Sequence, residues 1–187
     1  MSFYTEKELR ELGLKSLGSN VLISKKACLY GIDRISISDN SSVYDFVIIS
    51  AGEGGVVIGR NVHIACFCSL IGQSKIVLND YAGLSSRVSS YSSSDDYSGS
   101  FLTNPTIPSE YTNVDSRDVF IDKHSIVGAG SIVLPGVTLQ EGVAVGALSL
   151  VLKSCEAWTI YSGTPARKIK ARNKNCQVLE SRYESKG

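Results

Sequence analysis

The 187-residue sequence contains two histidines, His63 and His124, so the choice of side chains that titrate near neutrality is narrow. His63 stands directly before Ile64 and is a candidate base or ligand contact. His124, inside IDKHSI, occupies a variable position that reads as outward-facing and solvated. A second group of polar side chains, Tyr91, Asp95, Asp96, Tyr97 and Asn104, is concentrated in YSSSDDYSGSFLTN, and such a set suits a ligand rich in hydroxyls or amines. Two small pairs, Gly128–Ala129 and Gly146–Ala147, are separated by eighteen positions. Backbone N–H groups at such places are approachable by an amide-bearing ligand, although a tight corner demands small residues on its own account. The five cysteines form no CxxC pair, and without a secretion signal they read as reduced thiols. Cys28, Cys68 and Cys155 are expected to pack as small core residues.

The elements that must position these groups are set by a sixfold period. Ile121, Val127, Val133, Leu139, Val145 and Val151 follow one another at every sixth position. Four places after each stands Ser125, Ser131, Val137, Val143, Ser149 or Cys155. Neither an α-helix nor a flat, half-buried strand has this period. Three short strands per coil of about eighteen residues would turn every sixth aliphatic residue inward, stacked on the coils above and below. Earlier segments join the frame with interruptions: Leu17 and Ile23, Ile37 and Val43, Ile58 and Ile64, Leu78 and Leu84. His63 and Ile126 then fall in one column, two coils apart.

The expectation is one mainly β domain, a left-handed parallel β-helix over residues 17–164. Residues 1–16 form a helical cap opened by a Thr5–Glu8 capping box, residues 91–118 an inserted loop, and residues 165–187 a C-terminal helix or tail. The inserted loop is too long and polar for a corner, and insertions of that kind are often functional. The formal charge of +1 gives no general reason to expect nucleic acid as partner. No stretch reaches the roughly 20 apolar residues of a transmembrane helix, and the N-terminus lacks the apolar run of a signal peptide, so a cytoplasmic location is expected.

The string IDKHSIVGAGSIVLPGVTLQEGVAVGALSLV, followed by YSGTPARKI, resembles the signature of hexapeptide-repeat acetyltransferases. That family includes galactoside and maltose O-acetyltransferases and the enzymes that acetylate sugars for bacterial surface polysaccharides. The resemblance implies acetyl-CoA as co-substrate, with no resident metal. It also implies a sugar or nucleotide-sugar acceptor, and a homotrimer with its sites between neighbouring prisms. It places Gly128, Ala129, Gly146, Ala147, Lys153, Pro165, Arg167 and Lys168 along coenzyme A, with Arg167 and Lys168 near its phosphates.

In galactoside-type members a histidine in the inserted loop takes the proton from the acceptor hydroxyl. Here the loop has no histidine, and Asp95 stands in its place, followed by Asp96 and Tyr97. An ordinary aspartate, with pKa about 4, is a poor acceptor for a hydroxyl proton. Three readings follow: Asp95 as a tuned base or acceptor ligand, His63 as the base, or an amine as the acceptor. Two other classes use the same prism. A non-catalytic scaffold would keep the repeat without the chemistry, and a γ-type carbonic anhydrase would need three zinc-bound histidines, which two per chain do not supply in the usual way.

Overall fold

The computed structural model describes residues 2–185. Positions 1, 186 and 187, which end the expected N-terminal cap and C-terminal tail, lie outside the described residues. The chain winds into a prism with three parallel sheets as its faces. The first sheet has six strands, from Ser16–Leu17 to Thr138–Leu139. The second begins at Leu22–Ile23 and, with a terminal hairpin, has eight. The third runs from Cys28–Tyr30 to Leu150–Val151 and has six.

Register turns the sixfold period into continuous interior columns. Ile37, Ile58, Leu78, Ile121 and Leu139 are successive partners in the first sheet, and Ile23, Val43, Ile64, Leu84, Val127 and Val145 in the second. All are buried. Each such side chain contributes about 1.5–3 kcal/mol relative to exposure, and parallel sheets covered on their inner face accumulate that gain coil by coil. The small positions have their own function in the packing. The Ser125 hydroxyl donates to the Gln140 carbonyl at 3.1 Å and the Ser131 hydroxyl to that of Gly146 at 3.0 Å, so buried serines tie each turn to the next.

Two corners are built from left-handed residues. Asn20, Asn40, Asn61, Tyr81, His124, Gly142 and Trp158 line the corner between the first and second sheets. Phe46, Phe67, Arg87, Gly130 and Leu148 line the corner between the second and third. A non-glycine residue in this conformation costs roughly 1–2 kcal/mol. The cost is offset between coils: the Phe67 amide donates to the Asp45 carbonyl at 3.1 Å and that of Arg87 to Cys66 at 3.1 Å. The third corner is irregular, and there residues 92–118 leave the prism. This loop carries a two-stranded antiparallel pair, Ser93–Ser94 with Asp115–Ser116, at its base. Tyr91 belongs to the third-sheet strand Ser89–Tyr91.

At the N-terminus, α1 (Glu6–Glu11) starts in a capping box in which Thr5 and Glu8 exchange hydrogen bonds. Three expectations are corrected. Cys28 is exposed, because Leu29 is the inward residue of its strand and a one-residue change of phase reverses the face. His124 is buried, stacked on Tyr81 at 5.3 Å. Residues 166–171 are neither helix nor tail: Ala166–Ala171 pairs antiparallel with Thr159–Gly163 around the Thr164–Pro165 turn. The helix, α2 (Asn175–Glu184), follows this hairpin.

Candidate functional site

His63 is fixed by the second sheet, where Gly83 and then Ile126 are its successive register partners. Its side chain is on the outer face, with Nδ1 2.9 Å from the Ser42 hydroxyl and its ring edge-on to Tyr44 at 4.7 Å. Partial burial lowers its pKa below the ordinary histidine value, which keeps the ring neutral at pH 7. It lines a groove of about 310 Å³ with Ala65, Gly83, Ser85 and Ser86.

Asp95 lies elsewhere, on the loop at the third corner, so one chain does not bring the two candidate bases together. Its carboxylate has no hydrogen-bond or ion-pair partner among the described residues and is placed between two clefts. The larger, about 830 Å³, is lined by Gly52, Gly72, Gln73, Asn104 and Asn113. The smaller, about 340 Å³, is lined by Asp96, Tyr97, Arg117, Leu134, Pro135 and Leu152. The other loop candidates are partly engaged in shaping the loop. Asp96 accepts from the Ser98 amide at 3.0 Å, Asn104 from the Thr106 amide at 3.0 Å, and Tyr97 is 92% exposed. Tyr91 is half-buried.

The glycines are dictated by coil stacking: a Cβ on Gly128 would meet the Ala147 nitrogen at 2.5 Å, and one on Gly146 the Ser162 hydroxyl at 2.6 Å. Their amides are also spent within the fold, donating to Val145 and Tyr161 at 2.8 Å. The amides of Ala129 and Ala147 donate to no acceptor among the described residues, and both residues are exposed. These are the N–H groups open to a ligand. The terminal hairpin joins them, because the Gly163 amide donates to the Ser149 hydroxyl and the Thr164 hydroxyl to the Leu148 carbonyl, both at 3.1 Å. Pro165 thereby lies at the end of the corner that carries Ala147, and exposed Arg167 follows it. Lys168 is held by Glu156 at 2.6 Å, and the pair raises the lysine's pKa. Lys153 is exposed beyond the last third-sheet strand.

Cys68 and Cys155 are buried, and burial pushes both thiols up to about 11, so neither is a nucleophile at neutral pH. Among the described residues no cluster of three His, Cys, Asp or Glu side chains is gathered as a metal site. Sequence reasoning missed Ser85, Ser86 and Arg117. Arg117 makes a two-pronged contact with Asp115 at 2.7 and 2.6 Å, and the alternation Asp115-x-Arg117 at the loop's return to the prism is the signal that points to it.

No family model matches the chain. It is 52% identical over 184 residues to the dTDP-4-amino-4,6-dideoxy-D-glucose acyltransferase of Escherichia coli, covering 98% of this chain and 96% of that one. It is 33% identical to the putative lipopolysaccharide biosynthesis O-acetyl transferase WbbJ of Escherichia coli, over 81% of this chain and 67% of that one. Among solved structures, AntD, an N-acyltransferase from Bacillus cereus in complex with dTDP and coenzyme A, superposes with a TM-score of 0.97 at 45% identity, with full coverage of both chains. AntD has also been solved with 3-hydroxybutyryl-CoA and with dTDP-4-amino-4,6-dideoxyglucose.

Proposed function

Because this chain belongs to the hexapeptide-repeat acyltransferases that transfer an acyl group from coenzyme A to a sugar, we propose that its acceptor is the amino group of a nucleotide-linked sugar. The acceptor of first choice is dTDP-4-amino-4,6-dideoxyglucose, with acetyl-CoA as donor, in the cytoplasmic assembly of a surface-polysaccharide building block. The observation that carries this reading is Asp95: an unpartnered carboxylate between two clefts, in a loop without histidine. A carboxylate is a weak base for a hydroxyl, but it holds and orients an ammonium and takes up positive charge as the amine attacks.

In this mechanism the amine nitrogen attacks the thioester carbonyl, the C–N bond forms, and the C–S bond breaks. The amine's protons pass through Asp95 to water and to the departing thiolate. The free Ala129 amide offers a hydrogen bond to the oxyanion of the tetrahedral intermediate. No acyl-enzyme is required, since both substrates are held for direct attack.

Asp95 and Ala129 stand on different corners of one prism, with the third sheet between them. The site is therefore completed by a second copy, the loop of one chain meeting the Ser85–Ala129 corner of the next in a homotrimer. Support comes from AntD, which has been solved with single substitutions of a serine and an aspartate ten positions apart, the spacing of Ser85 and Asp95.

Thiol release tests the reading. Wild-type protein with acetyl-CoA should turn over the dTDP-linked 4-amino sugar and leave its 4-hydroxy analogue unchanged. Asp95→Asn should lower kcat about 100-fold or more with the trimer intact, the scale of a lost acid–base group. His63→Ala should retain most of the rate. Coenzyme A binding without thiol release for any amino sugar would instead establish the scaffold reading.

A further inference from the structure

The corner between the second and third sheets carries two phenylalanines where the backbone least favours them. Phe46 and Phe67 have φ of 61° and 64°, yet they contribute little to the core, being 48% and 49% exposed. Their rings stack on each other at 5.0 Å with 18° between the planes. A cation covers each outer face: Lys26 Nζ lies 5.3 Å from the Phe46 centroid and the Arg87 guanidinium carbon 5.1 Å from that of Phe67. The two cations differ. Lys26 is within 3.5 Å of Asp45, whereas Arg87 has no carboxylate partner among the described residues.

This column adjoins the groove of His63. Ala65, Ser85 and Ser86 line the groove, and the chain passes from them directly to Phe67 and Arg87. The Ser86 amide, like that of Ala129, donates to no acceptor among the described residues. Ascending the corner, Phe46, Phe67, Arg87 and Gly130 occupy successive coils. At about 4.8 Å per coil, Phe67 is roughly 10 Å and Phe46 roughly 14 Å below the Ala129 level. One edge of the prism thus presents, in order, an aromatic surface, an unpaired guanidinium with a free amide, and the open amides of the acyl-transfer corner.

Resting on the reading of the acceptor as a nucleotide-linked amino sugar, we propose that this edge is the nucleotide subsite. The pyrimidine base packs against the exposed edges of Phe46 and Phe67. The diphosphate is held by Arg87 and the Ser86 amide, and the amino group of the sugar is thereby delivered to Ser85 and Ala129. Aromatic edges carry partial positive charge and accept the face of a base, and a guanidinium without a carboxylate suits a diphosphate's paired oxygens. The partner is a nucleoside diphosphate because aromatic and anion-binding groups alternate at the spacing of such a ligand along a single edge.

Calorimetric titration of the intact protein with dTDP in the presence of coenzyme A tests the assignment. Wild type should bind dTDP. Phe46→Ala and Phe67→Ala should each weaken it about tenfold, the scale of one base–aromatic contact, and raise KM for the nucleotide sugar without altering KM for acyl-CoA. Phe67→Tyr should bind as wild type does. Arg87→Ala should weaken dTDP far more than thymidine, and Arg87→Lys should recover part of the loss. Equal dTDP affinity in wild type and Phe67→Ala would overturn the subsite while leaving the acceptor reading standing; absence of dTDP binding by active wild type would overturn both. Dissociation of the Phe46→Ala and Phe67→Ala variants into monomers by sedimentation, with dTDP affinity restored on reassembly, would assign the edge to subunit contact and overturn the proposal.

Discussion

Ser90 and Val133 are register partners on the third sheet, both fully buried in the same interior column, and the Ser90 hydroxyl has no hydrogen-bond partner. Ser90 thus interrupts an aliphatic column that continues through Leu70 below it and Val151 above Val133. An unsatisfied buried hydroxyl costs about 1–3 kcal/mol, so Ser90→Ala should raise the melting temperature. Val133→Asn adds the same kind of defect one coil higher and should lower it by several degrees or prevent folding. Thermal denaturation of the two variants checks this; a less stable Ser90→Ala would show that the hydroxyl is satisfied.

The C-terminal helix buries none of its own residues and is docked by polar contacts. Glu180 lies 2.8 Å from His124 Nε2 and 2.6 Å from Lys123 Nζ, while the Tyr81 hydroxyl donates to Glu184 at 3.0 Å. Burial opposes ionisation of Glu180, but hydrogen bonds from Lys123 and His124 outweigh it and hold its carboxyl below the ordinary value of 4.5. A carboxylate depressed in the folded state contributes stability that is present above 4.5 and is lost as pH falls through the folded value. Hydrogen exchange should therefore show α2 docked at neutral pH and released below about pH 4, before the prism unfolds. Glu180→Gln should release it at pH 7, and equal protection of α2 in the variant would refute the clamp.

Arg167 and Lys168 are adjacent but not equivalent. Glu156 pairs with Lys168, while no ion pair to Arg167 is found among the described residues. Arg167→Ala should raise KM for acyl-CoA about tenfold at low salt, an effect shrinking as ionic strength screens it. Lys168→Ala should do less, and Glu156→Gln, by freeing the lysine, should lower KM. Steady-state kinetics at two salt concentrations distinguish these outcomes, and identical KM values for wild type and Arg167→Ala would remove the hairpin from the cofactor site.

The interior of the prism was readable from spacing because a buried column admits few residue types: Ile121, Val127 and their successors could face nowhere else. The corners were less readable. His124 looked solvated because its partner, Glu180, is 56 positions away, beyond any local pattern. Cys28 was assigned inward because cysteine is a good core residue, while the strand's phase is set by Leu29 opposite Ile49. The strand Ala166–Ala171 reads as helix by composition, and its pairing with Thr159–Gly163 prevails through tertiary hydrogen bonds. Phe46 and Phe67 did carry a signal, since they are separated by one coil, but the aliphatic period drew attention to inward positions alone.

The stacking of coils in fixed register also makes this molecule a graduated scale. Loss or gain of one whole turn between Phe67 and Ala129 would keep every inward residue inward, yet move the two levels by about 4.8 Å. Reach between the ends of a bound substrate would then change in steps of one strand spacing, with the reacting groups themselves untouched.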